Sequence, residues 1–243
     1  MYHRRGGRKK GIILGVILGI LIILLVLIFS VRIKDVEVSG NKQYTKEQIE
    51  SLLFDGKWSR NSAFCYYQNR FKEHKSIPFI EEYKINFKSP TKVEVVVFEK
   101  SVVGCVSYMS SYMYFDKDGI IVESSSEQLP GVPVITGLEF GHIVLPQPLP
   151  VADQDIFGEI LNLTQVLNVS GIQVDRINYS SYKEAELVMG DITVELGNSD
   201  SLDGKIAELH DIMPELSGLS GTLYLDTYDE TNSSPTYRFV KKN

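Results

Sequence analysis

An uninterrupted apolar run near the N-terminus constrains this chain more than any other feature. Ile12 to Phe29 contains eighteen residues without a charged or hydrogen-bonding side chain. A helix of this length spans roughly 27 Å, close to the ~30 Å hydrocarbon thickness of a bilayer. Only a helix satisfies every backbone amide within such a segment. The run therefore predicts a transmembrane helix over residues 12–30.

Charge predicts the orientation of this helix. The first ten residues carry five basic side chains and no acidic one, which leaves 20 basic against 31 acidic residues (20 − 31 = −11) in the rest of the chain. Basic flanks remain in the cytoplasm. Residues 1–11 are therefore predicted to form a cytoplasmic tail, and the C-terminal part to lie outside. A net-negative exterior also argues against nucleic acid as a partner.

A cleaved signal peptide is the alternative, since it also begins with basic residues. Its apolar region normally has about 7–15 residues and ends in a small-x-small site. The run in this chain is longer, and it ends in Phe29-Ser30-Val31-Arg32, which offers no such site. No second apolar run of this length follows. We therefore prefer an uncleaved, single-pass anchor.

The seventy residues after the anchor predict a small α+β domain. Apolar and polar residues alternate over Val31 to Val38, as in a half-buried strand. Thr45 and Gln48 have the spacing of a capping box in front of a helix, and a second helix is predicted from about Asn61 to Lys72. Two strands follow. The predicted order over residues 31–100 is strand, helix, helix, strand, strand.

Residues 101–243 predict a second domain, which is mostly antiparallel β with flanking helices. Short apolar strands alternate with turn signals such as Asp118-Gly119 and Gly190-Asp191. Helices with one apolar face are predicted at Asp153–Leu167 and Leu202–Leu216. The fold class is therefore α+β, with one N-terminal transmembrane helix and two domains behind it.

No catalytic, metal or cofactor site is predicted. Sequence motifs for nucleophilic serines, phosphate loops and zinc are absent. The histidines outside the tail, His74, His142 and His210, stand singly, which is not the pattern of a metal site. The many acidic residues leave a catalytic carboxylate pair open as an alternative.

Two cysteines, Cys65 and Cys105, fall in different predicted domains. An oxidising exterior would permit a disulfide bond. Because the two residues belong to different domains, unpaired and half-buried thiols are the preferred interpretation.

The stretch from Ile33 to Asn41, Ile-Lys-Asp-Val-Glu-Val-Ser-Gly-Asn, resembles the start of a POTRA domain. In particular it is similar to the FtsQ/DivIB family of bacterial division proteins. Further stretches resemble that family in the same order along the chain: Ile77–Ile80, Lys88–Val95, Phe98–Val103, Tyr114–Ile121, Leu129-Pro130 with Ile135–Gly137, Leu196-Gly197 with Lys205–Leu209, and Tyr224–Asp226. The resemblance covers nearly the whole chain, and it depends on the order and spacing of the stretches together.

This resemblance implies a POTRA domain at 31–100, an FtsQ/DivIB-type β domain at 101–243 and a non-enzymatic scaffold at the division septum. Such proteins bind small single-pass coiled-coil partners of the FtsB/DivIC and FtsL type outside the membrane. They help to control septal peptidoglycan synthesis. No cofactor and no small-molecule substrate is expected. The alternatives are a membrane-anchored extracytoplasmic cell-wall enzyme with an unrecognised carboxylate site, and a POTRA-type secretion or assembly factor.

The predicted partner-binding segment is the alternating strand near the end of the chain, formed by Thr236, Tyr237, Arg238, Phe239 and Val240. A terminal strand at a sheet edge presents unpaired backbone groups that a partner strand can use. In such a strand Tyr237 and Phe239 share one face, and Arg238 points the other way. The competing interpretation is an edge that Lys241 and Lys242 protect from pairing.

Overall fold

The computed structural model describes residues 6–232 and 237–242, and the chain divides into two units. The first unit ends at Glu99 and the second begins at Lys100. Each unit has its own hydrophobic core. The buried side chains of one core lie between Ile33 and Val97, and those of the other between Val106 and Leu225.

A long apolar helix, α1 (Gly6–Ser30), opens the described chain. Its segment Ile12–Ser30 is long and apolar enough to cross a membrane, and it is the single such helix in the described residues. Its large apolar side chains are exposed, from Ile12 to Phe29. A helix that is apolar on all sides and uncovered by protein suits a lipid environment. The predicted apolar helix is therefore present and could span a membrane, whereas that it crosses one stays a prediction.

The first unit continues with three strands and two helices. They are β1 (Asp35–Ser39), α2 (Lys46–Leu53), α3 (Ser62–Phe71), β2 (Ile80–Ser89) and β3 (Lys92–Glu99). The sheet has the order β1-β3-β2, with β1 parallel and β2 antiparallel to the central β3. The expected capping box is present, because the Thr45 side chain accepts from the Gln48 amide and the Gln48 side chain accepts from the Thr45 amide. It fixes the start of α2, which places Ile49 in the core.

Within residues 100–232 and 237–242, the second unit contains nine strands in one sheet and two helices. They are β4 (Gly104–Tyr108), β5 (Ser111–Phe115), β6 (Ile121–Ser125), β7 (Val134–Thr136), α4 (Gln154–Val169), β8 (Arg176–Tyr179), β9 (Ala185–Met189), β10 (Ile192–Gly197), α5 (Leu202–Leu216), β11 (Gly221–Tyr224) and β12 (Arg238–Lys241). The sheet order is β12-β11-β10-β9-β8-β7-β4-β5-β6. Most neighbours are antiparallel. The parallel pairs are β4 with β7, β7 with β8, and β10 with β11.

The strand β7 is absent from the sequence prediction, although it lies inside the sheet. It has three residues and follows Pro133 directly, so it is too short to show a two-residue period. Val134 and Ile135 are nevertheless buried. Its parallel pairs with β4 and β8 connect the strands β4, β5 and β6 to the strands β8 to β12 in one sheet.

The helices α4 and α5 contribute their apolar faces to the core of the second unit. Ile160 of α4 and Ile206 and Leu209 of α5 are completely buried. Along β10 every second residue is buried and the others are half-exposed. One face of this part of the sheet is therefore packed in the core and the other is partly open, as is common for antiparallel sheets.

The cysteines are unpaired, as preferred, but the expectation that they are half-buried is wrong. Cys65 is 5% exposed and Cys105 is completely buried. Cys65 lies on the inner face of α3, and Cys105 lies in β4 with its Sγ 3.6 Å from the Pro133 carbonyl oxygen. Burial raises the pKa of Cys65 to about 11 and that of Cys105 to about 12, so both thiols stay protonated at neutral pH.

Candidate partner-binding edge

The strand β12 forms one end of the nine-stranded sheet. It pairs with β11 in antiparallel register, so that Arg238 lies opposite Tyr224 and Val240 lies opposite Thr222. Among the described strands, none pairs with its other side. The predicted segment began at Thr236, which lies outside the described residues, whereas the structure extends the strand to Lys241.

The register decides which backbone groups face the open side. The Lys242 amide donates to the Ser220 carbonyl oxygen at 2.9 Å, which makes residues 242 and 220 a hydrogen-bonded pair. Such pairs alternate with non-hydrogen-bonded pairs along an antiparallel ladder. Val240 and Arg238 therefore direct their amides and carbonyls towards β11. Phe239 and Lys241 direct theirs towards the open side, where a further strand could add.

The side chains of the strand alternate between the core and the solvent. Tyr237 and Phe239 are partly buried and pack against the core of the second unit. Arg238 and Val240 are exposed on the opposite face. The Arg238 guanidinium lies 3.9 Å from the centre of the Tyr224 ring, a cation–π contact that holds it against the sheet. The two aromatic residues therefore attach β12 to its own domain.

The Tyr237 hydroxyl group has an unusual environment. It is buried and has no hydrogen-bond partner among the described residues. Burial, followed by repulsion from the charges of Glu208 and Tyr228, raises the pKa of Tyr237. A buried hydroxyl without a hydrogen-bond partner lowers the stability of the folded state. The Tyr237 ring stabilises the second unit by packing, and its hydroxyl group offsets part of that stabilisation.

A row of polar and aromatic residues crosses the half-open face of the sheet from β12 inwards. The strand registers place six residues side by side: Arg238, Tyr224, Glu195, Glu186, Asn178 and Thr136. The Asn178 amide donates to the Glu186 carboxylate, and the Thr136 hydroxyl donates to Asn178 Oδ1 at 2.5 Å. Burial, followed by repulsion from Glu186, raises the pKa of Glu195.

This row was not apparent from the sequence. Its members lie between positions 136 and 238, on six different strands, and no local spacing connects them. Only the pairing of neighbouring strands brings them together. A periodic pattern within each strand predicts which residues share a face, but not which residues of other strands lie beside them.

Glu186 and Glu195 lie opposite each other on neighbouring strands. They are therefore candidates for the catalytic carboxylate pair that an enzyme would need. These carboxylates lie on the sheet face, and they line neither the cavity in the first unit nor the one in the second unit. A cavity of about 460 Å³ in the first unit is lined by Asp55, Glu73 and His74 among others, and one of about 160 Å³ in the second unit has no acidic lining residue. In residues 6–232 and 237–242, no group of three histidine, cysteine or acidic side chains could hold a metal ion.

The fold and this edge define a class: an α+β protein with a membrane-capable helix, whose second unit ends in an open edge strand. Comparison with curated proteins connects the class to bacterial division proteins. The chain is 26% identical over 182 residues to the cell division protein DivIB of Clostridium botulinum strain Hall, covering 72% of this chain and 69% of the relative. The DivIB protein of strain Loch Maree matches equally.

A third relative matches over a longer stretch. The cell division protein DivIB of Clostridium acetobutylicum is 21% identical over 212 residues, which covers 84% of this chain and 82% of that protein. No model of a known protein family matches the chain. The three relatives support the DivIB/FtsQ family over most of the chain.

Proposed function

We propose that this chain is a DivIB-type cell division protein that acts as a membrane-anchored, non-enzymatic scaffold. Three relatives with that name, similar over most of the chain, support the division role. The helix α1 supplies a segment that can serve as the anchor. The basic tail and the net-negative remainder favour a cytoplasmic N-terminus, with residues 31–243 outside the membrane and located at the septum.

Residues 31–100 serve as a POTRA-type module in this proposal. The order strand, helix, helix, strand, strand and the sheet β1-β3-β2 support that assignment. So does the sequence Val-Ser-Gly-Asn at residues 38–41, whose first two residues end β1. The second unit is then the β domain that carries the partner-binding edge.

The observation that carries the proposed binding role is the open side of β12. Outward amides and carbonyls at Phe239 and Lys241 suit the addition of a strand from a partner. Small single-pass division proteins of the FtsB/DivIC and FtsL type are the proposed partners, and their capture outside the membrane helps to control septal peptidoglycan synthesis. The exposed side chains of Arg238 and Val240 then contact the partner, while Tyr237 and Phe239 hold the strand in place.

A proline substitution tests the edge selectively. Lys241→Pro removes an amide that faces the open side and leaves the bonds between β12 and β11 in place, since the Lys241 amide is not part of that ladder. The matched control Lys241→Ala removes the same charge and keeps the amide. We expect Lys241→Pro to weaken binding about fivefold or more relative to Lys241→Ala, the equivalent of one hydrogen bond of about 1 kcal/mol.

The measurement is co-purification of the full-length chain with its small single-pass membrane partners, followed by titration of the purified complex. Thermal unfolding of each variant establishes that the second unit remains folded. Equal binding by two folded variants, Lys241→Pro and Lys241→Ala, would show that the partner does not add to this edge.

A further inference from the structure

The exit of α1 is joined directly to the start of α3. The Asn61 side-chain amide donates to the carbonyl oxygens of Phe29 at 2.6 Å and of Val31 at 3.2 Å. The Asn61 side-chain oxygen accepts from the Phe64 amide at 2.9 Å, which caps the first turn of α3. The last carbonyls of a helix lack partners within that helix, so one side chain serves both helix ends. The start of α3 therefore lies at the level where the apolar run ends.

The loop before α3 lies at the same level. The Asn61 amide donates to the Trp58 carbonyl oxygen at 2.8 Å, and the Ile33 amide donates to the Arg60 carbonyl oxygen at 2.7 Å. Trp58 is the only tryptophan of the chain. Its side chain is 52% exposed, although a tryptophan with so much apolar surface is usually covered.

Further aromatic side chains are exposed along α3. Tyr66, Tyr67 and Phe71 are 55%, 51% and 67% exposed, whereas Cys65 on the inner face is buried. Tyr67 and Phe71 are one helical turn apart, and their ring centres are 5.4 Å from each other. Tryptophan and tyrosine are enriched where a membrane meets water, because one end of each ring is apolar and the other is polar.

The charge of this region is opposite to that of the rest of the exterior. Residues 57–75 contain five basic side chains and one acidic one (5 − 1 = +4), whereas the chain beyond residue 10 has a balance of −11 (20 − 31). Two of these cations, Arg60 and Lys75, are paired with carboxylates. The other three have no ion pair among the described residues and are exposed: Lys57, Arg70 and Lys72.

We infer that the loop 56–61 and the outward face of α3 rest on the headgroup region of the bilayer that α1 crosses. Trp58, Tyr67 and Phe71 enter the interface between headgroups and acyl chains, and the unpaired cations bind anionic phospholipid headgroups. The ten residues of α3 span about 15 Å. The helix must therefore lie along the membrane surface if Trp58, just before its start, and Phe71, at its end, are both to reach the interface. The inference rests on the membrane anchorage proposed above, and it adds a docked orientation of the first unit.

The single tryptophan permits a direct test on the full-length chain. The purified protein is reconstituted into vesicles of phosphatidylcholine, with or without phosphatidylglycerol, and Trp58 emission is quenched either by brominated acyl chains or by aqueous iodide. We expect quenching by brominated lipid and protection from iodide, both stronger when phosphatidylglycerol is present. Each cation at an anionic surface contributes about fivefold to the docking equilibrium.

A charge-reversed variant and a matched control separate this interface from general electrostatics. The variant is Lys57→Glu, Arg70→Glu and Lys72→Glu together, and the control reverses three exposed lysines of the second unit, Lys117, Lys183 and Lys242. Both change the net charge equally. The variant should lose the phosphatidylglycerol dependence and expose Trp58 to iodide, whereas the control should behave like the parent chain.

Flotation of the vesicles distinguishes a failure of the docked orientation from a failure of the membrane anchorage. A chain that floats with the vesicles, but whose Trp58 is open to iodide and insensitive to brominated lipid, overturns the docked orientation and leaves the anchorage intact. A chain that does not float overturns the anchorage and the docking together.

Discussion

Asn61 shows how much a single residue can determine in the first unit. It is 3% exposed, and its side chain makes hydrogen bonds to α1, to the segment after α1 and to the first turn of α3. Its substitution removes the cap of α3 and the hydrogen bond that the Phe29 carbonyl oxygen accepts, and each effect costs about 1–2 kcal/mol. The Val31 carbonyl oxygen keeps its hydrogen bond from the Ser62 amide.

We therefore expect Asn61→Ala to lower the free energy of unfolding of the first unit by roughly 2–3 kcal/mol. Urea denaturation followed by Trp58 fluorescence measures this, because Trp58 belongs to the same unit. Asn162→Ala is the control, since Asn162 is exposed on α4 in the second unit. Equal urea midpoints for the two variants would contradict the role assigned to Asn61.

Glu195 gives a second prediction, on pH dependence. Burial and the nearby Glu186 raise its pKa in the folded state. The folded chain therefore binds more protons than the unfolded chain above the ordinary glutamate pKa of about 4.3. The protonated Glu195 therefore stabilises the folded state fully below about pH 4.3, the ordinary glutamate pKa. This stabilisation is lost as the pH rises through the pKa that Glu195 has in the folded chain. Glu195→Gln should therefore be more stable than the parent at pH 7, and the difference should shrink towards pH 4.

Thermal unfolding between pH 7 and pH 4 measures this difference. Glu215→Gln is the matched control, because Glu215 is exposed on α5 and lies outside the cross-strand row. A stability difference for Glu195→Gln that does not vary with pH would contradict the assigned environment.

At the scale of the element, β12 combines an inner face that attaches it to its domain and an outer edge with which no other described strand pairs. Tyr237 belongs to the inner face, and its hydroxyl is buried without a partner in the described part of the chain. Tyr237→Phe keeps the ring and removes this hydroxyl, so it should stabilise the second unit by roughly 1 kcal/mol. Tyr237→Ala should destabilise the unit, because it removes the ring as well.

Circular dichroism during urea unfolding measures both Tyr237 variants. If the proposed edge binds partners through its backbone, Tyr237→Phe should leave co-purification unchanged. A loss of binding in the stable Tyr237→Phe variant would show instead that the hydroxyl itself contacts the partner.

At the scale of the whole molecule, two separate cores predict two unfolding transitions. That residues 31–100 and 101–243 fold independently stays a prediction, and core substitutions test it. Ile49 belongs to the core of the first unit and Leu187 to that of the second, and both are completely buried. Each change to alanine should cost about 2–5 kcal/mol in its own unit.

Ile49→Ala should therefore shift the transition seen by Trp58 fluorescence, whereas Leu187→Ala should leave it in place. Differential scanning calorimetry of the full-length chain should resolve both transitions. A single transition that both substitutions shift equally would show that the two units unfold together.

Local patterns in the sequence determined a large part of this structure. The apolar run predicts α1, and the pair Thr45 and Gln48 predicts the start of α2. Three- and four-residue spacing of apolar side chains predicts α4 and α5 within two residues of their ends. These features depend on residues a few positions apart, so the chain carries them before it folds.

Only the tertiary structure decided which distant residues meet. It places the three-residue β7 inside the sheet, aligns Glu186 and Glu195 with Arg238, and joins Asn61 to the carbonyl of Phe29. It also buries Cys105 completely. The physical reason is common to all four. Strand register and contacts between elements arise from hydrogen bonds and packing between segments far apart in the chain, and no spacing within one segment specifies the neighbour that it acquires on folding.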